Sequence, residues 1–228
     1  MKRTNIFASI AALLMTTTYC GYSATIVTAY TPNITIPDNE STGAADVQNV
    51  STSIISISHL AVTLNIVGIP TATNAFNGDF YAYLTNGSGL SVLLNRVGVT
   101  ASSVDGYSDS GFNLTLDDAA VNGDIHNYQT VTNPSGGALI GTWQPDARNL
   151  DPSSSLDSSP RTAFLSSFNG LNPNGQWTLF VADLSPTGTA KLASWGLQIT
   201  GEVPEPDIVC LLWIGSASIL LCPRRRKQ

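Results

Sequence analysis

Hydrophobic positions through the middle of the chain recur at every second residue, the period of a strand that buries one face. From Ile54 to Val67 the alternation runs in two phases, Ile55 and Ile57 first and then Leu60, Val62, Leu64 and Ile66. The phase changes at Ser58-His59, where a bulge or short turn would return the apolar set to the inward face. Phe80, Ala82 and Leu84 alternate with Tyr81 and Tyr83, and Asn86-Gly87-Ser88-Gly89 then leads into Ser91 to Val97, which predicts a hairpin. Trp177, Leu179 and Val181 alternate ahead of the turn Asp183 to Gly188, and Leu192, Trp195, Leu197 and Ile199 predict the closing strand. No segment of the body keeps a helical period, and no repeat of fixed length is present. The expected fold class is all-β, an antiparallel jelly-roll β-sandwich. The stretch Asn133 to Pro160, punctuated by Pro134, Gly136, Gly137, Pro145 and Pro152, is expected to be loop-rich and a place for binding.

The two ends follow a different pattern. Lys2 and Arg3 precede an apolar stretch from Ile6 to Met15 and small residues at Gly21, Ser23 and Ala24, the order of a secretory signal peptide. The cut is expected after residue 23 or 24, which makes residues 1–24 the leader. Cys20 lacks the upstream residues that lipid attachment requires. At the other end stand Val203-Pro204-Glu205-Pro206, an apolar run from Ile208 to Leu221, and the basic cluster Arg224, Arg225, Arg226 and Lys227. Basic residues stay on the cytoplasmic side of a membrane, so the cluster would hold the C-terminus inside while the body faces out. Residues 203–228 resemble the PEP-CTERM sorting signal of bacteria that make an extracellular polysaccharide matrix. That resemblance implies a transmembrane helix in transit, processing by an exosortase, and delivery to the cell surface or extracellular matrix of a bacterium with an outer membrane. The 14 residues from Ile208 to Leu221 would rise only about 21 Å as a helix, against a bilayer core of about 30 Å, which favours processing over a permanent span.

Setting the ends aside changes the charge. Between residues 25 and 202 fourteen acids face four bases, Arg96, Arg148, Arg161 and Lys191, which leaves a formal charge of −10. Such a body repels nucleic acid and anionic membranes and attracts cations. Cys20, Cys210 and Cys222 all lie in the terminal segments, so no disulfide staples the body, which must rest on its hydrophobic core.

Three segments of residues 25–202 carry a second resemblance: Gly78-Asp79-Phe80-Tyr81-Ala82-Tyr83-Leu84, the run Gly175 to Asp183, and Gly188 followed by Leu192, Trp195 and Leu197. They are similar to the P domain, or P/Homo B domain, of the proprotein convertases, over about Ile34 to Thr200. The resemblance implies an eight-stranded jelly roll of the kind that supports the folding and calcium response of a subtilisin-like catalytic domain. Only about ten residues separate the expected leader from the first expected strand, too few for a scaffold of catalytic Asp, His and Ser. The expectation is therefore a noncatalytic module without peptidase activity.

Candidate chemistry is sparse. The histidines are His59 and His126, and neither a Gly-x-Ser-x-Gly elbow nor a His-Glu-x-x-His site occurs. His126, two residues after Asp124, reads either as a base oriented by that carboxylate or as a loop histidine with a local hydrogen bond. Asp105, Asp109, Asp117 and Asp118 cluster in a segment rich in Gly and Asn and are candidate calcium ligands; the other reading is solvated turn residues. Trp177 and Trp195 are expected in the core, whereas Trp143, in a Gly- and Pro-flanked loop, is the candidate ligand platform for a sugar. Two function classes follow: an exported surface or matrix module whose partner is exopolysaccharide or a surface protein, or a secreted hydrolase or accessory module of a subtilisin-like serine endopeptidase encoded on another chain.

Overall fold

Two long strands form the spine of one sheet, and their alternation decides which way it faces. In the computed structural model, which describes residues 22–204, β4 (Ser56–Gly68) pairs with β10 (Ala190–Val203) along almost its whole length. Leu60, Val62, Leu64 and Ile66 from β4 and Leu192, Trp195, Leu197 and Ile199 from β10 are all buried. The expected phase change is a β-bulge: His59 pairs with Thr200 and Ile57 with Gly201, so Ser58 is the extra residue. Ile57 is thereby turned inward while Ile55 remains half exposed.

The first sheet continues on both sides of this spine in the order β1-β10-β4-β7-β8, with β2 (Ile34–Ile36) also on β10. β1 (Tyr22–Tyr30) is one edge, β7 (Phe112–Asp117) lies beside β4, and β8 (Leu139–Trp143) is the other edge. The second sheet runs β3-β9-β5-β6, from β3 (Glu40–Val50), β9 (Gly175–Asp183), β5 (Phe80–Asn86) and β6 (Gly89–Asn95). Phe80, Ala82 and Leu84 of β5 and Trp177, Leu179 and Val181 of β9 turn inward and complete the core against the first sheet. The all-β sandwich expected from alternation is present. It departs from strict antiparallel order at one place, because β7 and β8 pair in parallel.

Several strands were not expected from the alternation, among them β7, where Phe112, Leu114 and Leu116 alternate within the stretch read above as turns or calcium ligands. β1 and β3 are edge strands that bury only part of one face, and β3 reads Glu-Ser-Thr-Gly-Ala-Ala-Asp-Val-Gln-Asn-Val, a sequence with little apolar signal. β8 interrupts the stretch expected to be loop. β1 takes in Tyr22, Ser23 and Ala24, residues assigned above to the leader, and Tyr22 pairs with Val203 at the far end of β10. The rest of the expected leader and Glu205, Pro206, the apolar run, Arg224, Arg225, Arg226 and Lys227 lie outside the described residues. Among the described residues no helix is long and apolar enough to cross a membrane.

Candidate functional site

The outer face of the second sheet carries a corner of three aromatic rings. Alternation that sends Phe80, Ala82 and Leu84 into the core sends Tyr81 and Tyr83 outward, and the same period on β9 sends out Phe180 between buried Leu179 and Val181. Tyr83 lies directly opposite Phe180 in the β5–β9 register, and their rings stack with centroids 4.8 Å apart and planes 19° from parallel. Tyr81 is tilted 56° to Tyr83 and 63° to Phe180, with centroids at 5.9 and 6.4 Å. Cross-strand aromatic pairs of this kind stabilise a sheet. Here they also line a cavity of about 510 Å³ with Ser41, Arg96, Asp151, Pro152, Ser153 and Leu184.

Each wall of the cavity has a structural cause. β3 and β9 lose register between Glu40 and Ala44, and within that break Gly43 adopts φ +52°. A Cβ there would lie 2.7 Å from Cζ of Phe180 and 2.5 Å from the Val181 carbonyl, so only glycine lets β3 run beside the ring. The opposite wall is the segment Asp151 to Ser153, where Asp151 Oδ1 accepts from the Ser153 amide at 2.8 Å and hydroxyl at 2.7 Å. Those bonds hold the exposed Asp151 carboxyl below the usual carboxylate range, so it is an ionised acceptor at neutral pH. Burial first, and then the neighbouring Tyr83 and Asp151, push the Tyr81 phenol up, so Tyr81 remains a hydroxyl.

The segment that bears Asp151 is pinned from beneath by a buried charge network. Arg148 is 2% exposed; its Nε donates to Leu156 O at 2.9 Å and its Nη2 to Asp157 O at 2.6 Å. Its charge is met by Asp146 at 3.1 Å and Asp124 at 2.8 Å. Asn95 Nδ2 holds the Arg148 and Leu150 carbonyls at 2.9 and 3.1 Å. His126 belongs to the same network. Its Nε2 donates to Val99 O at 2.9 Å and its Nδ1 meets Asp146 Oδ2 at 2.8 Å, with the ring wholly buried. Asp124 accepts from the His126 backbone amide and does not orient the ring. A ring with both nitrogens engaged and no solvent contact is a structural tie, which removes His126 with Asp124 as a candidate base.

A second electrostatic feature sits where β5 begins and β9 ends. Asp79 and Asp183 are 7% and 1% exposed, and Asp183 pairs in register with Phe80, next to Asp79. Burial raises the Asp79 carboxyl to about 6; Ser185 and Arg96 oppose the rise, while Asp105 and Asp38 add to it. Burial likewise raises Asp183 to about 7, against the Ser185 amide and with a contribution from Asp79 and Asp38. Asp79 also lines a hollow of about 380 Å³ with Asp105, Tyr107 and Ser185.

Several sequence-based expectations are corrected. Trp143 is no platform: it is 1% exposed at the end of β8, its Nε1 donates to Ile140 O at 2.9 Å, and its ring meets Tyr128 edge to face at 6.2 Å. Parallel pairing with β7 draws this residue inward despite its loop-like neighbours. The four candidate calcium ligands do not converge. Asp109 is buried and accepts from the Tyr128 hydroxyl, Gln129 Nε2 and the Gly136 amide. Asp117 meets His59 Nε2 at 3.1 Å, and Asp118 accepts from the Leu165 and Ser166 amides at 3.0 and 2.7 Å. Asp105 is exposed at the rim of the Asp79 hollow. Among the described residues no three acidic, histidine or cysteine side chains are grouped to hold a metal ion. Sequence reasoning passed over Phe180, Asp151, Arg148 and Asp146. The outward phase of Tyr81 and Tyr83 was the one signal that pointed to the cavity.

No protein-family profile and no curated protein matches the chain. Two solved structures share part of the fold: the serine protease of Aeromonas sobria in complex with the chaperone ORF2, at 12% identity and a TM-score of 0.43, and the same protease without it, at 13% and 0.42. Each alignment covers 79% of this chain and 27% of the other, so the chain spans about a quarter of the length of those relatives. A likeness of this extent bears on neither activity nor partner.

Proposed function

We propose that the chain is an exported, noncatalytic module of P-domain type that acts by binding at the cell surface or in the extracellular matrix. The observation that carries the reading is the aromatic cavity on the outer face of the second sheet, a concave site with a few polar groups around apolar rings, as ligand sites are built. The side chains best suited to chemistry point the other way in their roles: His126 and Asp146 are buried and mutually bonded, and Asp118 caps backbone amides. Export rests on the leader of residues 1–24 and on the PEP-CTERM-like order of residues 203–228, and exosortase processing belongs to this proposal.

Two measurements test it. The purified chain is incubated with insoluble matrix from a polysaccharide-producing bacterium and with casein and polysaccharide substrates. Saturable retention on the matrix without turnover is the expected result; reproducible turnover, lost on an Asp substitution, overturns the noncatalytic reading. For the export route, a tagged full-length chain expressed beside an exosortase should reach the outside shortened at the C-terminus, and Glu205→Ala should leave it uncut. Retention of the intact chain in the inner membrane in both cases would remove sorting from the proposal.

A further inference from the structure

We infer that the corner made by Tyr81, Tyr83 and Phe180 is a subsite for an uncharged oligosaccharide. The inference rests on the binding reading above and names the ligand class for the same site.

Three observations select this class. The first is what the floor offers. β5 lies between β9 and β6, and β9 between β3 and β5, so both strands spend their backbone amides and carbonyls on neighbours. A peptide cannot extend the sheet there, because strand addition needs a free edge. What remains is side-chain chemistry: aromatic faces beside hydroxyl and carboxylate groups. A pyranose ring matches that mixture, since its axial C–H bonds form an apolar face and its rim is hydroxyls. Tyr83 and Phe180 stack on one another, and both are partly exposed and line the cavity, where the open part of each ring can make such a contact.

The second is the set of polar groups left open. Among the described residues the hydroxyls of Tyr81, Tyr83 and Ser41 have no protein hydrogen-bond partner, and Asp151 uses only Oδ1 on Ser153. The phenols and Ser41 can donate or accept, and Asp151 Oδ2 accepts, which is the complement a polyol needs. Arg96 contributes less, because its guanidinium already donates to Gly78 O, Val104 O and Ser185 Oγ.

The third is charge and readiness. With fourteen acids against four bases in the body and an ionised Asp151 on the rim, a polyanionic chain would be repelled. The Asp151 wall is already fixed through Arg148 and Asn95, so little ordering is needed on binding.

The test is titration calorimetry of the whole chain with neutral hexaoses of glucose, mannose, galactose and N-acetylglucosamine, and with hexamers of galacturonate and mannuronate. Saturable binding of at least one neutral hexaose, and none of the uronates, is expected. Phe180→Ala should weaken it at least about tenfold, and Tyr83→Phe, which keeps the stack and loses one hydroxyl, should weaken it a few-fold. Because Phe180→Ala removes a half-buried ring, its thermal midpoint is measured alongside, and Tyr83→Phe decides the matter if that variant unfolds. Binding unchanged in Tyr83→Phe and Phe180→Ala, preference for the uronates, or no binding by any neutral hexaose each overturns the inference. If the chain is still retained on matrix while no oligosaccharide binds, the binding module stands and its ligand is of another class. Loss of matrix retention overturns the reading beneath it.

Discussion

Two buried charge clusters in this protein have opposite designs. Around Arg148, every carboxylate has a cation or donor within reach: Asp146 meets His126 and Arg148, and Asp124 meets Arg148 at 2.8 Å and Arg161 at 3.6 Å. Around Asp79 and Asp183 two acids share one end of adjacent strands, with Arg96 the cation nearby and Asp38 and Asp105 adding negative charge. The first cluster is a set of compensated ions that fastens loops together. In the second, burial moves the titration instead, with carboxyls raised to about 6 and about 7. The contrast shows that burial alone does not decide how a carboxyl is accommodated; the partners brought by distant segments do.

Breaking the compensated cluster should have the largest effect. Arg148→Met leaves Asp146 buried with one cation fewer and frees the Leu156 and Asp157 carbonyls, at a cost of about 3–5 kcal/mol in denaturant unfolding. The same variant should release the Asp151 wall, visible as faster amide exchange at residues 150–157.

The uncompensated pair should respond to pH. Because both folded-state values lie above the ordinary 3.8, the folded protein holds more protons than the unfolded chain between about pH 4 and 7. Stability from this pair is complete below about pH 4, falls as pH rises through 6 and 7, and is flat above about 8. The expected loss is on the order of 3 kcal/mol for each of the two carboxyls from pH 4 to 8. Urea midpoints across that range measure it, and Asp183→Asn, which keeps a neutral group in place, should remove much of the slope. A slope unchanged in that variant would assign the pH response elsewhere.

A purely steric variant sharpens the comparison by touching neither cluster. Gly43→Ala forces a Cβ toward the Val181 carbonyl and the Phe180 ring at φ +52°, costing about 1–2 kcal/mol. It should also shift the Phe180 ring resonances. The smallest effect is expected at Asp118, whose carboxylate is satisfied by backbone amides and falls between the two designs. Asp118→Ala should cost about 1 kcal/mol, as loss of a helix cap does, and by the same amount in calcium and in chelator. A cost confined to calcium would restore a metal role for Asp118.

The sandwich was legible where burial imposed a period. β4 with its bulge at Ser58, the β5–β6 hairpin and the inward residues of β9 and β10 follow from alternation, because a one-residue slip would expose a whole apolar set. β1, β3 and β8 were not legible, since these edge strands bury too little to print a period. β7 was missed although Phe112, Leu114 and Leu116 alternate, because the acidic residues around it read as turns or calcium ligands. The site divides in the same way. Tyr81 and Tyr83 are outward by phase, but nothing local says that Phe180 stands opposite Tyr83; that is a matter of strand register across a separation of nearly one hundred residues. Trp143 failed for the same reason in reverse, because its loop-like neighbours say nothing of the parallel pairing that buries it.

By itself the sequence determined the fold class, the acidic body and the inward faces of the central strands, all of which depend on composition and short-range period. The tertiary structure decided which aromatic rings stack on the surface, which histidine is locked, and which aspartates titrate away from the ordinary carboxylate range. Those properties depend on desolvation and on contacts between residues far apart in the chain, and both arise only once the two sheets have closed on one another.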